Sequence, residues 1–92
     1  MNYEWDQAKN AANIVKHGID LEDAAAIFDG PVLETADRRR DYGEPRIAAV
    51  GIAHGLELFV VYTMRGRNRR LISARRASRN ERKAYYQAVA GR

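Results

Sequence analysis

Ninety-two residues, 46% of them hydrophobic and none of them cysteine, suffice for one modest folded core. They exclude a disulfide framework, a thiolate metal site and an unstructured chain. The net charge of +4 is unevenly spread: two lysines face eight acids up to Asp37, and fourteen Lys or Arg face four acids from Arg38 onward, which is the pattern of a basic surface for a polyanion.

In chain order, Tyr3-Glu4-Trp5 reads as a short strand and Asp6 as the N-cap of a helix ending near His17. Trp5, Ala8, Ala12 and Val15, with Ala11 beside them, form the expected apolar stripe of that helix. Gly18 is the expected C′ residue, and Lys16 and His17 fall in the last turn, where cations complement the helix dipole. Asp20 caps a second helix through Phe28, which Asp29-Gly30-Pro31 ends. Residues 32–35 read as a strand, and the arginine-rich stretch 38–45 as an exposed, mobile loop. Residues 46–53 and 56–64 form a hairpin about His54-Gly55, and a strand over 70–77 returns after the stretch 65–69. Ser78 and Glu81 have the spacing of a capping box for a final helix, whose apolar side is Tyr85, Ala88 and Val89.

The fold class is therefore α+β. It comprises a three- or four-stranded, mainly antiparallel sheet with two N-terminal helices, one C-terminal helix and a possible short extra N-terminal strand. The helices are expected on one face, leaving the other open for binding. One domain over residues 1–92 is expected. No run approaches the roughly 18 apolar residues of a membrane span. The N-terminus lacks the basic and apolar regions of a signal peptide, and the lack of cysteine fits a reducing cytoplasm.

Arg75 and Arg76 stand at the end of the last strand. Consecutive strand side chains point to opposite faces, so both cannot enter one core. They lie just before a helix N-terminus, which itself attracts anions. A phosphate site and a solvated basic strand end both fit these residues. The basic half also holds Tyr42, Tyr62, Tyr85 and Tyr86. Cations mixed with rings suit single-stranded RNA, with phosphates on Arg and bases on rings; tyrosines packed in the core are the alternative.

A phosphate-binding glycine loop is absent, as are metal-ligand spacings and a nucleophilic triad. What remains is charge stabilisation by arginine and proton transfer by His17, Lys16 or a tyrosine. RNA cleavage can run on that inventory, because the substrate supplies its own 2′-hydroxyl nucleophile. Guanidinium forks match phosphate oxygens two at a time, and histidine carries protons near neutrality. His54 is read as a turn residue away from the strand-end arginines.

A longer pattern joins these pieces. Tyr3-Glu4-Trp5-Asp6, Lys9, Asn13, Lys16-His17-Gly18 and the 22–28 helix are followed by Arg38, Asp41, Tyr42-Gly43-Glu44, Arg46 and Gly51. Val61-Tyr62-Thr63, Arg65-Gly66, Ile72-Ser73-Ala74-Arg75-Arg76-Ala77 and Glu81-Arg82 complete it. Together they resemble the BrnT family. The resemblance implies a RelE-like fold and a ribonuclease toxin of a type II toxin–antitoxin pair. The implied activity is metal-independent endoribonucleolytic cleavage of RNA without a cofactor. The implied partner is a BrnA-like ribbon-helix-helix antitoxin, in a 2:2 or higher complex that reaches operator DNA through the antitoxin. It also implies that Arg65, Arg75 and Arg76 converge on the scissile phosphate, with Lys16 and His17 as candidates for proton transfer or phosphate contact. Tyr62 and Tyr85 are candidates for stacking on bases, and Arg67, Arg69 and Arg70 for added RNA affinity. The alternative is a non-catalytic nucleic-acid-binding module, or a degenerate toxin acting through its antitoxin complex.

Overall fold

The computed structural model describes residues 2–90. In chain order the elements are β1 Asn2–Glu4, α1 Gln7–His17, α2 Leu21–Ala24, a 3₁₀ turn Ala25–Asp29, β2 Leu33–Ala36, β3 Ile47–Ala53, β4 Leu56–Arg65, β5 Asn68–Arg76 and α3 Arg79–Ala90. They build a five-stranded sheet in the order β1-β5-β4-β3-β2. β2, β3, β4 and β5 are antiparallel neighbours, while β1 joins β5 in parallel. The sheet is thus mixed and wider than expected, because both short segments, β1 and β2, pair at its edges.

One face carries Ala49, Leu58, Val60, Tyr62, Leu71 and Ala74, packed under α2 and the 3₁₀ turn with Leu21, Ala24 and Ile27. Gly51 lets that layer approach. A Cβ at residue 51 would stand 2.9 Å from Ile27 Cβ and 3.0 Å from Val32 Cγ1. The second helix expected through Phe28 tightens after Ala24 into the 3₁₀ turn, which seats Ile27 on that glycine. The opposite face is not left bare: α3 lays Tyr85 and Val89 against Leu33, Val50 and Phe59. Helices therefore lie on both faces, and the open part of the second face is the portion α3 leaves beside β4 and β5.

The caps follow the sequence. Asp6 accepts from Lys9 N–H at 2.9 Å, and Gly18 is left-handed at φ 71°. Ser78 and Glu81 complete their reciprocal pair, with Ser78 N–H donating to Glu81 Oε1 at 2.8 Å and Glu81 N–H to Ser78 Oγ at 3.2 Å. His54 and Gly55 both have positive φ, 51° and 79°, as a tight hairpin turn requires. The β4–β5 link is also a two-residue turn, Gly66-Arg67, with Arg65 paired to Asn68. The strands thus extend further toward that turn than the sequence suggested.

The apolar stripe of α1 is where the expectation fails. Ala8, Ala11 and Ala12 are exposed, and Val15 is 89% exposed; the face turned inward carries Asn10 and Asn13. β1 covers β5 only as far as Arg70, so the backbone of β5 beyond that point has an open edge. Asn13 fills it: its amide donates to Ala74 O at 2.9 Å and to Ile19 O at 2.8 Å, and accepts from Ala74 N–H at 3.2 Å. Asn10 accepts from Leu21 N–H and donates to Asp20. Buried amides that satisfy backbone groups replace apolar contact there.

Candidate functional site

Strand parity and register sort the basic residues. Phe59 pairs with Arg75, and Thr63 with Arg70, while Arg65 pairs with Asn68; all lie on the face that α3 partly covers. Leu58 pairs with Arg76, so Arg76 belongs to the other side and stands exposed at the strand end. Arg65 and Phe59 are separated by six residues of β4, roughly 20 Å at the rise of a strand. Arg65 and Arg75 therefore share a face without sharing a cleft. The expected convergence of Arg65, Arg75 and Arg76 upon one point is not what the sheet geometry gives.

Gly18, the residue that follows Lys16 and His17, reaches the Arg76 end of the sheet. α1 is tied by Asn13 to Ala74. Beyond it, Gly18 lines a 220 Å³ cavity with Leu58, the cross-strand partner of Arg76. His54 lines the same cavity. The turn that holds it is therefore at the end of the sheet where Arg76 stands, contrary to the expected separation.

Arg75 is the most constrained of these cations. Its Nη1 and Nη2 donate to the two oxygens of Glu81, each at 2.8 Å, and Nη1 also donates to Arg76 O at 3.1 Å. Its guanidinium lies over the Phe59 ring, 4.1 Å from the centroid. The Arg75 hydrogen bonds, ahead of all other influences, hold the Glu81 carboxyl below its ordinary range.

Arg39, in the loop expected to be mobile, also comes near the Phe59 ring. Its Nε and Nη2 donate to the two oxygens of Asp37 at 2.8 and 2.9 Å, and its guanidinium carbon is 6.0 Å from the Phe59 centroid. Asp37 is buried, and its pairing with Arg39 draws its pKa down to about 2. Tyr42 OH also donates to Asp37, and Arg46 stacks on Tyr42 at 3.9 Å. A 250 Å³ groove beside Phe59 and Glu81 is lined also by Leu33, Thr35, Ala48 and Val50. From the sequence, Arg39 reads only as one of the arginines 38–40, an exposed run that as a phosphate contact adds affinity without chemistry, and neither Asp37 nor Phe59 reads as a site residue. The available signal was the Asp-x-Arg spacing just after β2.

The stacking candidates are core residues, which runs against their expected role. Tyr62 is 3% exposed, meets the Phe28 ring edge-on and donates to Glu34. Tyr85 is 2% exposed and donates to Pro31 O at 2.9 Å. Neither ring offers a face to a base. Arg69 lies over Phe28 at 4.0 Å with its Nε buried and unpaired among the described residues, so it is a packing residue. Arg70 faces Glu4 at 3.7 Å and Arg65 faces Glu44 at 3.6 Å. Arg67 is exposed at the turn tip. Among the described residues no cluster of three or more His, Asp or Glu is arranged to hold a metal ion.

The model of the family described as "Ribonuclease toxin, BrnT, of type II toxin-antitoxin system" matches residues 5–81. The chain is similar to the crystal structure of the Brucella abortus ribonuclease toxin BrnT, with a TM-score of 0.64 and 29% identity, over 86% of this chain and 99% of that one. No curated protein matches it.

Proposed function

Because the chain belongs to the BrnT family of ribonuclease toxins of type II toxin–antitoxin systems, we propose that it is a cytoplasmic, RelE-like endoribonuclease that cuts RNA at the C-terminal end of β5. The observation that carries this reading is the placing of Arg75 and Arg76 on either side of that strand end. The start of α3 lies just beyond them, and the Lys16-His17 end of α1 lies nearby.

The reaction needs no cofactor. The substrate's 2′-hydroxyl loses its proton and attacks the adjacent phosphorus; the P–O2′ bond forms, the P–O5′ bond breaks, and the departing 5′-oxygen takes up a proton. The products are a 2′,3′-cyclic phosphate and a 5′-hydroxyl. Arg75 neutralises the charge that grows on the phosphate oxygens, an effect worth roughly 3 kcal/mol for one preorganised donor; Arg76, reaching round the strand end from the opposite face, adds its charge to the same phosphate. Lys16 and His17 serve the proton transfers, which contribute about 10²–10⁴-fold. Arg65, Arg67 and Arg70 hold flanking phosphates, adding affinity rather than chemistry.

In this reading a BrnA-like ribbon-helix-helix antitoxin neutralises the enzyme in a 2:2 or higher complex, and the complex reaches operator DNA through the antitoxin. The test is expression with and without the cognate antitoxin, followed by growth and total RNA integrity. Expression alone is expected to fragment RNA and arrest growth, and coexpression to restore both. Intact RNA and normal growth in a permissive host would instead favour a non-catalytic nucleic-acid-binding module.

A further inference from the structure

Arg75 spends only one edge of its guanidinium. Glu81 takes the edge formed by Nη1 and Nη2, and Arg76 O takes a further Nη1 hydrogen. The Nε–H and the second Nη2 hydrogen, which form the other bidentate edge, have no protein partner among the described residues. Arg39 is the complement: Asp37 takes its Nε and Nη2, the Tyr42 hydroxyl lies beside that pair, and the edge made by Nη1 and the remaining Nη2 hydrogen is not used by Asp37. Both guanidinium carbons lie within 6.0 Å of the centre of the Phe59 ring. Each plane is set by a carboxylate, and each retains a two-pronged donor edge.

We propose that Arg39 and Arg75 form a clamp for one RNA phosphodiester above Phe59, with Asp37 and Glu81 as positioning residues that fix the two guanidinium planes. The proposal rests on the ribonuclease reading and adds to it a phosphate contact from the 38–45 loop. Preorganisation is the physical reason for the carboxylates. A free arginine surrenders side-chain entropy when it binds, whereas one already held by a carboxylate and a ring has surrendered it on folding. The neighbouring groove has an apolar floor of Leu33, Ala48, Val50 and Phe59. A flat apolar floor beside two donor forks suits a nucleotide, which brings a ring and a phosphate together. The carboxylate of an acidic peptide brings only the charge.

The test is binding of a short, single-stranded 2′-deoxy oligonucleotide, which the proposed chemistry cannot cleave, measured by fluorescence anisotropy across a salt series. Cleavage of the all-ribose oligonucleotide is followed separately in wild type. Clamp failure and ribonuclease failure are therefore read independently. Arg39→Ala and Arg75→Ala are each expected to weaken binding about tenfold. Together they should weaken it by clearly less than the product of the single losses, since both act on one phosphate. Arg39→Lys is expected to resemble the alanine variant, because an ammonium lacks the fork; it also decides the matter if Arg39→Ala melts below the assay temperature. Glu81→Gln keeps a side chain able to complete the capping box and frees Arg75, so it should weaken binding while melting near wild type. Three results would overturn the clamp: Arg39 variants binding as tightly as wild type, strictly multiplicative losses, or an acidic polypeptide showing the Arg39 dependence that the oligonucleotide lacks.

Discussion

Arg75 and Arg76 are adjacent in sequence and stand on opposite faces of the sheet, opposite Phe59 and Leu58 respectively. One is pinned by Glu81 and stacked on Phe59; the other is exposed. The two substitutions should therefore separate. Arg76→Ala should change stability by no more than about 0.5 kcal/mol, as for an ordinary surface site, while slowing RNA cleavage by about 10²-fold or more. Arg75→Ala should slow cleavage to a similar extent and also lower the melting temperature, since it strips the partner from half-buried Glu81. Thermal melts alongside single-turnover cleavage check both.

His17 ends α1, and its position in the last turn suits a helix terminus as well as a proton carrier. His17→Gln is expected to reduce the cleavage rate about 10²-fold and leave the affinity for the uncleavable oligonucleotide unchanged. A purely terminal role would show as a small stability change with normal turnover.

Asp37 gives a pH prediction with a definite sign. Its folded pKa, about 2, lies below the ordinary carboxyl value, chiefly through the Arg39 hydrogen bonds. Its contribution to stability is then fully present above the unfolded value of about 3.9 and is lost as pH falls through the folded value. Because the Arg39 side chain is 64% exposed, solvent screening reduces the effect to about 1–2 kcal/mol. Asp37→Asn should be less stable than wild type by that amount at pH 7. Denaturant melts at several pH values should show the difference shrinking between pH 4 and pH 2.

Asn13 ties the Lys16-His17 end of α1 to β5. Asn13→Ala leaves the backbone N–H and C=O of Ala74 and the C=O of Ile19 without their partner. That should cost about 1–3 kcal/mol, a fall in melting temperature of roughly 5 °C or more for a domain this size. Cleavage should also fall at temperatures where the variant is still folded, because the helix end that presents Lys16 and His17 loses its anchor. Calorimetry with parallel rate measurements checks the two effects separately.

Much of the scaffold was legible because its signals are local. Asp6, Gly18, Ser78 and Glu81 are caps whose geometry depends on a few consecutive residues, and His54-Gly55 is a turn of the same kind. The inner face of α1 escapes periodicity, which counts apolar residues, because that face is made of Asn10 and Asn13. The burial of Asn10 and Asn13 depends on β1 being too short to cover β5, which is a tertiary fact. Tyr62 and Tyr85 carry the composition of an RNA surface, but strand parity and the docking of α3 turn them inward. The basic face was visible in the charge distribution. That Arg65 lies far along β4 from Arg75, and that Arg39 comes near the same Phe59 ring as Arg75, are matters of register and loop path that linear spacing does not carry.

If the RNA's own 2′-hydroxyl attacks a phosphate held at Arg75, removing that one hydroxyl stops the reaction. Two synthetic RNAs that differ by a single 2′-deoxy nucleotide on the 5′ side of the mapped cleavage point, incubated with the purified chain in the presence of EDTA, put this to the test. The all-ribose strand should be cleaved to a 2′,3′-cyclic phosphate, the deoxy strand should stay intact at that bond, and Arg75→Ala should lose the reaction. Cleavage at the deoxy position would rule out attack by the 2′-hydroxyl, and a wild-type rate from Arg75→Ala would rule out a phosphate held at Arg75.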